Sequence, residues 1–153
     1  MLKIAAIVAV FGLLFVFVFG AIRYPDQSMS PAIKNGDLVV YFRHGQVYHA
    51  QDAVALTYQG QSQVRRVVAV AGDTVDITAD GLLVNGALQQ EPEIIAPTLP
   101  YVGEVDFPLT VPAGHVFVLA DARDGATDSR VYGPVEEDDI LGKVMLIIRR
   151  RGI

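Results

Sequence analysis

The sequence predicts an antiparallel all-β domain carried on a single N-terminal transmembrane helix. Three observations point there. Ile4 to Ile22 is a nineteen-residue run without a charge or a proline. Beyond it the apolar residues gather in short β-branched runs separated by glycine, asparagine and aspartate turns. No later stretch places apolar residues at helical spacing over a useful length.

The elements follow in chain order. With 153 residues, 52% of them hydrophobic, the chain suffices for one domain with a core. As a helix, Ile4 to Ile22 would reach roughly 28 Å, close to the hydrocarbon thickness of a bilayer. A secretory signal peptide is the competing reading, but its apolar region is usually about 7 to 15 residues and ends in small residues. Phe19-Gly20-Ala21-Ile22 is a poor cleavage site, so residues 1–23 are expected to be a retained anchor and residues 24–153 the β-rich domain. Lys3 and Arg23 flank the run and nearly balance, which leaves orientation weakly specified. The expected strands are Leu38 to Phe42, Ala53 to Tyr58, Val64 to Val70, Thr74 to Ile77, Leu82 to Val84, His115 to Leu119 and Val144 to Ile148. Turns are expected at Asn35-Gly36-Asp37, Gly72-Asp73, Ala79-Asp80-Gly81, Asn85-Gly86 and Pro112-Ala113-Gly114. Several strands lack a polar alternation, which suits burial on both faces in a sandwich or folded sheet. Ala87 to Thr110, with Pro92, Pro97, Pro100 and Pro108, is the expected long irregular connection.

Charge and composition narrow the chemistry. Seventeen acidic residues against twelve basic ones give a net −5, and every acidic residue lies beyond Arg23; nucleic acid is disfavoured as a partner. Arg149-Arg150-Arg151 reads as a solvated tail in preference to a lipid-headgroup contact. The absence of cysteine rules out disulfides and thiolate metal sites. No metal-ligand spacing, phosphate-binding glycine loop or Gly-x-Ser-x-Gly elbow occurs, so neither a metal nor a cofactor is expected. What remains is the position of Ser28, immediately past the apolar run, although Ser-x-Ser-Pro alone is an ordinary turn.

Ser28 does not stand alone. Ser28-Met29-Ser30-Pro31-Ala32-Ile33-Lys34-Asn35-Gly36-Asp37 resembles the nucleophile box of the bacterial signal peptidase I family, Ser-Met-x-Pro-Thr-Leu-x-x-Gly-Asp. Arg65-Arg66-Val67-Val68-Ala69-Val70-Ala71-Gly72-Asp73 looks like its general-base box, Lys-Arg-Val-Val-Gly-Leu-Pro-Gly-Asp. Asp121 to Arg130, followed by Gly133, is similar to its last box, Asp-Asn-Arg-x-Asn-Ser-x-Asp-Ser-Arg. Order and spacing agree along essentially the whole chain.

The resemblance implies a single-pass serine endopeptidase of the cytoplasmic membrane, its domain on the extracytoplasmic face, that removes signal peptides from preproteins. Carried over residue by residue, Ser28 is the nucleophile and its own backbone N–H is an oxyanion donor. Asp128 pairs with Arg130 to hold the loop, and Arg65 occupies the position of the general base. In the family that base is a lysine, which must lose its proton. A lysine has to fall from about 10.4 to near 7, roughly 4 to 5 kcal/mol, which an apolar site can supply. An arginine starts at about 12.5 to 13.8 and would need on the order of 8 kcal/mol against a delocalised charge. Ala126 further replaces the family serine that orients the lysine, and Asp26 stands where the family places a glycine or an oxyanion-donating serine. A carboxylate there opposes a developing oxyanion. Neither Lys34, Lys143, His44, His49 nor His115 falls at the base position. Two readings follow: a working signal peptidase, or an impaired relative that binds signal-peptide-bearing preproteins or pilins and assists their assembly. Membrane lipid is an expected partner in both.

Overall fold

The computed structural model describes residues 2–45, 47–92, 94, 96–101 and 105–149. A helix α1, Leu2–Val18, leads directly into strand β1, Phe19–Arg23. Strands β2 (Leu38–Phe42), β3 (Ala53–Tyr58), β4 (Gln61–Val70), β5 (Thr74–Thr78), β6 (Gly81–Val84), β7 (Ala87–Leu88), β8 (Leu109–Thr110) and β9 (His115–Leu119) follow. A single helical turn α2, Ser129–Tyr132, then precedes β10 (Val135–Glu136) and β11 (Ile140–Ile148). One seven-stranded sheet runs β1-β2-β11-β3-β4-β9-β10, and a four-stranded sheet runs β7-β6-β5-β8. All pairings are antiparallel.

The uninterrupted helical span expected for Ile4 to Ile22 is corrected here. The helix stops at Val18, and among the described residues no helix is long and apolar enough to cross a membrane. The remainder of the apolar run is sheet: Phe19 to Arg23 pair residue for residue with Phe42 to Leu38, so their backbone groups are satisfied by a neighbouring strand. Gly20 permits that pairing, because a Cβ at this position would collide with the Tyr41 ring opposite.

Other strands run further than hydrophobicity alone indicates. β4 begins at Gln61 rather than Val64 because the hairpin from β3 closes over two residues, Gln59 (φ 48°) and Gly60 (φ 76°). Both lie in the left-handed region that matches the twist of adjoining strands. β11 begins at Ile140 and pairs with β3 before crossing to β2. Among the described residues of the proline-bearing stretch 87–110, only the ends are regular, where β7 and β8 add to the smaller sheet.

Three buried clusters hold the domain. Val54, Leu56, Val67, Val116 and Val118 form the centre of the large sheet's packing. Val68, Val75, Ile77, Leu82, Phe117 and Leu119 join the two sheets. Tyr24, Met29, Ile33, Val39 and Val64 make a third cluster beneath the segment between β1 and β2, and this is what positions the site.

Candidate active site

Ser28 sits in the connection between β1 and β2. The ladder extends past Arg23 through Tyr24 N–H to Asp37 O (2.9 Å) and Gly36 N–H to Tyr24 O (2.8 Å), closing a loop around residues 25–35. Fully buried Tyr24, Met29 and Ile33 pin that loop from below and leave Ser28 half-buried at its top. From the other side, Ala122 N–H donates to the Ser28 carbonyl at 2.8 Å, tying the 121–130 segment to it.

Arg65 comes from β4. Successive strand residues face opposite ways, so Val64 enters the cluster under Ser28 while Gln61, Gln63 and Arg65 line the cleft beside it. Arg65 is only 2% exposed. Its Nε and Nη2 donate to Thr127 O at 3.0 and 2.8 Å, and its Nη1 donates to Val64 O at 2.6 Å and to Ser28 Oγ at 2.8 Å. The group facing the serine is thus a proton donor.

Two further side chains complete the surroundings of Ser28. Asp26 Oδ1 accepts both the Ser28 backbone N–H and the Ser28 hydroxyl, each at 2.9 Å. The Tyr24 hydroxyl lies 2.5 Å from Ser28 Oγ. Burial works to raise the Asp26 carboxyl, but hydrogen bonds from Tyr24 and Ser28 and the Arg65 charge prevail and hold it below the usual carboxylate range. Burial first, and Asp26 beside it, push the Tyr24 hydroxyl well above its ordinary value. Sequence reasoning expected Asp26 to oppose an oxyanion from nearby; the geometry is more direct, since Asp26 occupies the N–H that the resemblance assigns to the oxyanion. Tyr24 carried no signal in the sequence, being one aromatic residue next to a proline.

Asp128 and Arg130 lie behind the cleft. Asp128 is fully buried and Arg130 is 1% exposed. They share two hydrogen bonds, Nε to Oδ1 at 2.9 Å and Nη2 to Oδ2 at 2.8 Å. Asp128 also caps α2 through Arg130 N–H and accepts from Ala120 N–H at 3.1 Å. Arg130 reaches on to Arg123 O and Leu99 O and stacks over Tyr101. Ala126, at the position of the expected orienting serine, is buried and lines the cleft.

The remaining candidate bases stand elsewhere. Lys143 pairs with Asp52 at 2.7 Å, and His44 packs against Phe17 and Phe42. Arg149, expected to be solvated, instead pairs with buried Asp37 at 3.1 Å and donates to Ala32 O, bracing the far end of the Ser28 loop; Arg150 and Arg151 lie outside the described residues. Among the described residues no cluster of histidine and acidic side chains could hold a metal ion.

Ser28 on its buttressed loop thus faces the buried side chain of Arg65, which the large antiparallel sheet supplies from β4. The profile described as "Signal peptidase, peptidase S26" matches residues 1–149, and the chain belongs to that family. It is 30% identical over 162 aligned residues to signal peptidase IB of Staphylococcus aureus (strain COL), covering 92% of this chain and 85% of the relative. It is 33% identical over 135 residues to thylakoidal processing peptidase 1, chloroplastic, of Arabidopsis thaliana, covering 78% of this chain and 38% of that one. A crystal structure of a signal peptidase I from Enterococcus faecalis superimposes with a TM-score of 0.56 at 24% identity, over 67% of this chain and all of the other, and shares its fold.

Proposed function

We propose that the protein binds the signal-peptide region of exported preproteins, pilins among them, at the outer face of the cytoplasmic membrane and holds it without cutting it. One observation carries this reading. A serine hydroxyl has one proton to give and two lone pairs to receive with. At Ser28 the proton goes to Asp26 and Arg65 Nη1 donates to Oγ at 2.8 Å, with the Tyr24 hydroxyl crowded against the same oxygen at 2.5 Å. A guanidinium does not lose its proton in a protein, so Arg65 offers no base. The Ser28 N–H needed for an oxyanion is engaged by Asp26 as well. Ile4, Ile7, Val8, Leu13, Val16 and Phe17 of α1 are all exposed, and this apolar surface supports α1 as the segment that meets lipid.

The opposing reading, a working peptidase, has its own support in the 2.9 Å bond from Ser28 Oγ to the Asp26 carboxylate, a proton acceptor in contact with the nucleophile. A preprotein ending in Ala-x-Ala separates the two. The wild type should match Ser28→Ala in leaving it uncut while capturing it in a cross-linking assay. The triple variant Asp26→Gly, Arg65→Lys, Ala126→Ser should exceed both in cleavage. Wild-type cleavage that Ser28→Ala abolishes would overturn the binding reading. Protease added to intact spheroplasts should digest the domain, and full protection would contradict the assigned face.

A further inference from the structure

We infer that the junction between α1 and the large sheet binds one anionic phospholipid, with its phosphate on Arg43 and an acyl chain along α1. The inference rests on the lipid-facing role of α1 proposed above and not on what the cleft does to a preprotein. The site begins with how α1 ends. The last carbonyls of a helix lack intrahelical donors. The residues after β2 supply them: Arg43 N–H donates to Val18 O at 3.0 Å, Arg43 Nε to Phe19 O at 3.2 Å and His44 Nε2 to Phe17 O at 3.1 Å. The Arg43 guanidinium also lies 5.3 Å over the Tyr41 ring, and the His44 ring lies 5.0 Å from that of Phe17. These contacts hold the guanidinium in place but spend only its Nε. Nη1 and Nη2 meet no acceptor among the described residues, and Arg43 is exposed. A fixed guanidinium fork with free N–H groups matches the oxygens of a phosphate.

Apolar surface continues from the fork. Leu13, Val16 and Phe17 of α1 join Arg43 and His44 around a groove of about 410 Å³. Leu13 is 76% exposed and Val16 68%, so the helical wall of the groove has no protein cover, and the methylenes of an acyl chain would supply it. Charge selects the headgroup. The chain carries 17 acidic residues, yet none falls in residues 1–25 or 38–51, the two stretches that build the junction, whereas Lys3, Arg23 and Arg43 do. The carboxylates that border these stretches are engaged: Asp26 by Ser28, Asp37 by Arg149 and Asp52 by Lys143. The junction is therefore a basic, acid-free corner of an acidic protein. A headgroup with net negative charge gains from that field, while the cation of a zwitterionic headgroup does not.

Phosphatidylglycerol and phosphatidylcholine carrying a fluorophore on one acyl chain, titrated with the full chain in neutral detergent, test this by anisotropy. Phosphatidylglycerol should bind about tenfold more tightly. Arg43→Ala should remove that preference, while Arg23→Ala, which deletes the same charge from nearby β1, should keep it. Leu13→Gln should weaken both lipids together, and unchanged binding would overturn the placement of the chain. Glycerol 3-phosphate in excess should not displace the lipid; full displacement would make this a site for free anions and overturn the inference. Equal binding of the two lipids, a preference that survives Arg43→Ala, or equal losses from Arg43→Ala and Arg23→Ala would overturn it while the lipid-facing role stands. Binding of neither lipid would sink that role and the inference together.

Discussion

Two buried arginines grip the 121–130 segment from opposite sides, and they differ in what they hold. Arg130 meets a carboxylate: its guanidinium lies flat against Asp128 with two bonds of 2.9 and 2.8 Å, behind the site. Arg65 meets neutral oxygens, with Thr127 O, Val64 O and Ser28 Oγ as its acceptors and Asp26 one atom further on. A charge neutralised at contact stiffens a loop and does nothing else. A charge spread over neutral acceptors keeps its field, and Arg65 spends that field on the oxygen of Ser28. The same residue type therefore serves as scaffold at one position and, in the binding reading proposed above, as the element that quiets the serine at the other.

The largest effect should come from breaking the scaffold pair. Asp128→Ala strands a buried guanidinium, removes the cap of α2 and frees Ala120 N–H, and should cost about 3 to 5 kcal/mol in a denaturant melt. An unchanged midpoint would mean that the pair does not hold the loop. Arg65→Met should cost less, about 1 to 3 kcal/mol, since it frees neutral acceptors and strands no buried ion. If it destabilised as much as Asp128→Ala, the distinction between the two arginines would fail.

Acid sharpens the comparison on the Asp26 side. The folded carboxyl of Asp26 lies below its unfolded value, so its contribution to stability is present above about pH 4 and is lost as pH falls through the folded value. Urea melts of the wild type between pH 6 and pH 2.5 should lose more stability than those of Asp26→Asn. Parallel curves would show that Ser28 and Arg65 do not engage Asp26 in solution. Asp37 provides a second case of the same sign: hydrogen bonds from Arg149 outweigh burial and hold it below its ordinary value. Because Arg149 is 46% exposed, Arg149→Ala should cost no more than about 1 kcal/mol at neutral pH. That small loss should vanish in Asp37→Asn; a loss independent of Asp37 would assign Arg149 to Ala32 O alone.

Much of the fold was legible because strand formation here follows local composition. Leu38–Phe42, Ala53–Tyr58 and His115–Leu119 form the strands that their β-branched runs indicate. The misses share a cause. Gln61 to Gln63 are polar and enter β4 because a two-residue hairpin carries them there, and Phe19–Arg23 leave the helix because β2 offers them a partner. At the site, Ser28, Arg65, Asp128 and Arg130 stood out by their boxes, whereas Tyr24 and the Thr127 carbonyl did not, since one has no motif and the other no side-chain identity.

The sequence by itself determined the family and the strand-rich class, for these depend on residue type and spacing, and it put Arg65 where the resemblance places the base. Only the tertiary structure decided that Asp26 takes both protons of Ser28, that Arg149 belongs to Asp37, and that Gln63 Oε1 is left without a partner among the described residues. Hydrogen bonds form within about 3 Å and only along suitable directions, and residues far apart in the chain reach such distances only once the sheet has brought β4, the Ser28 loop and residues 121–130 together.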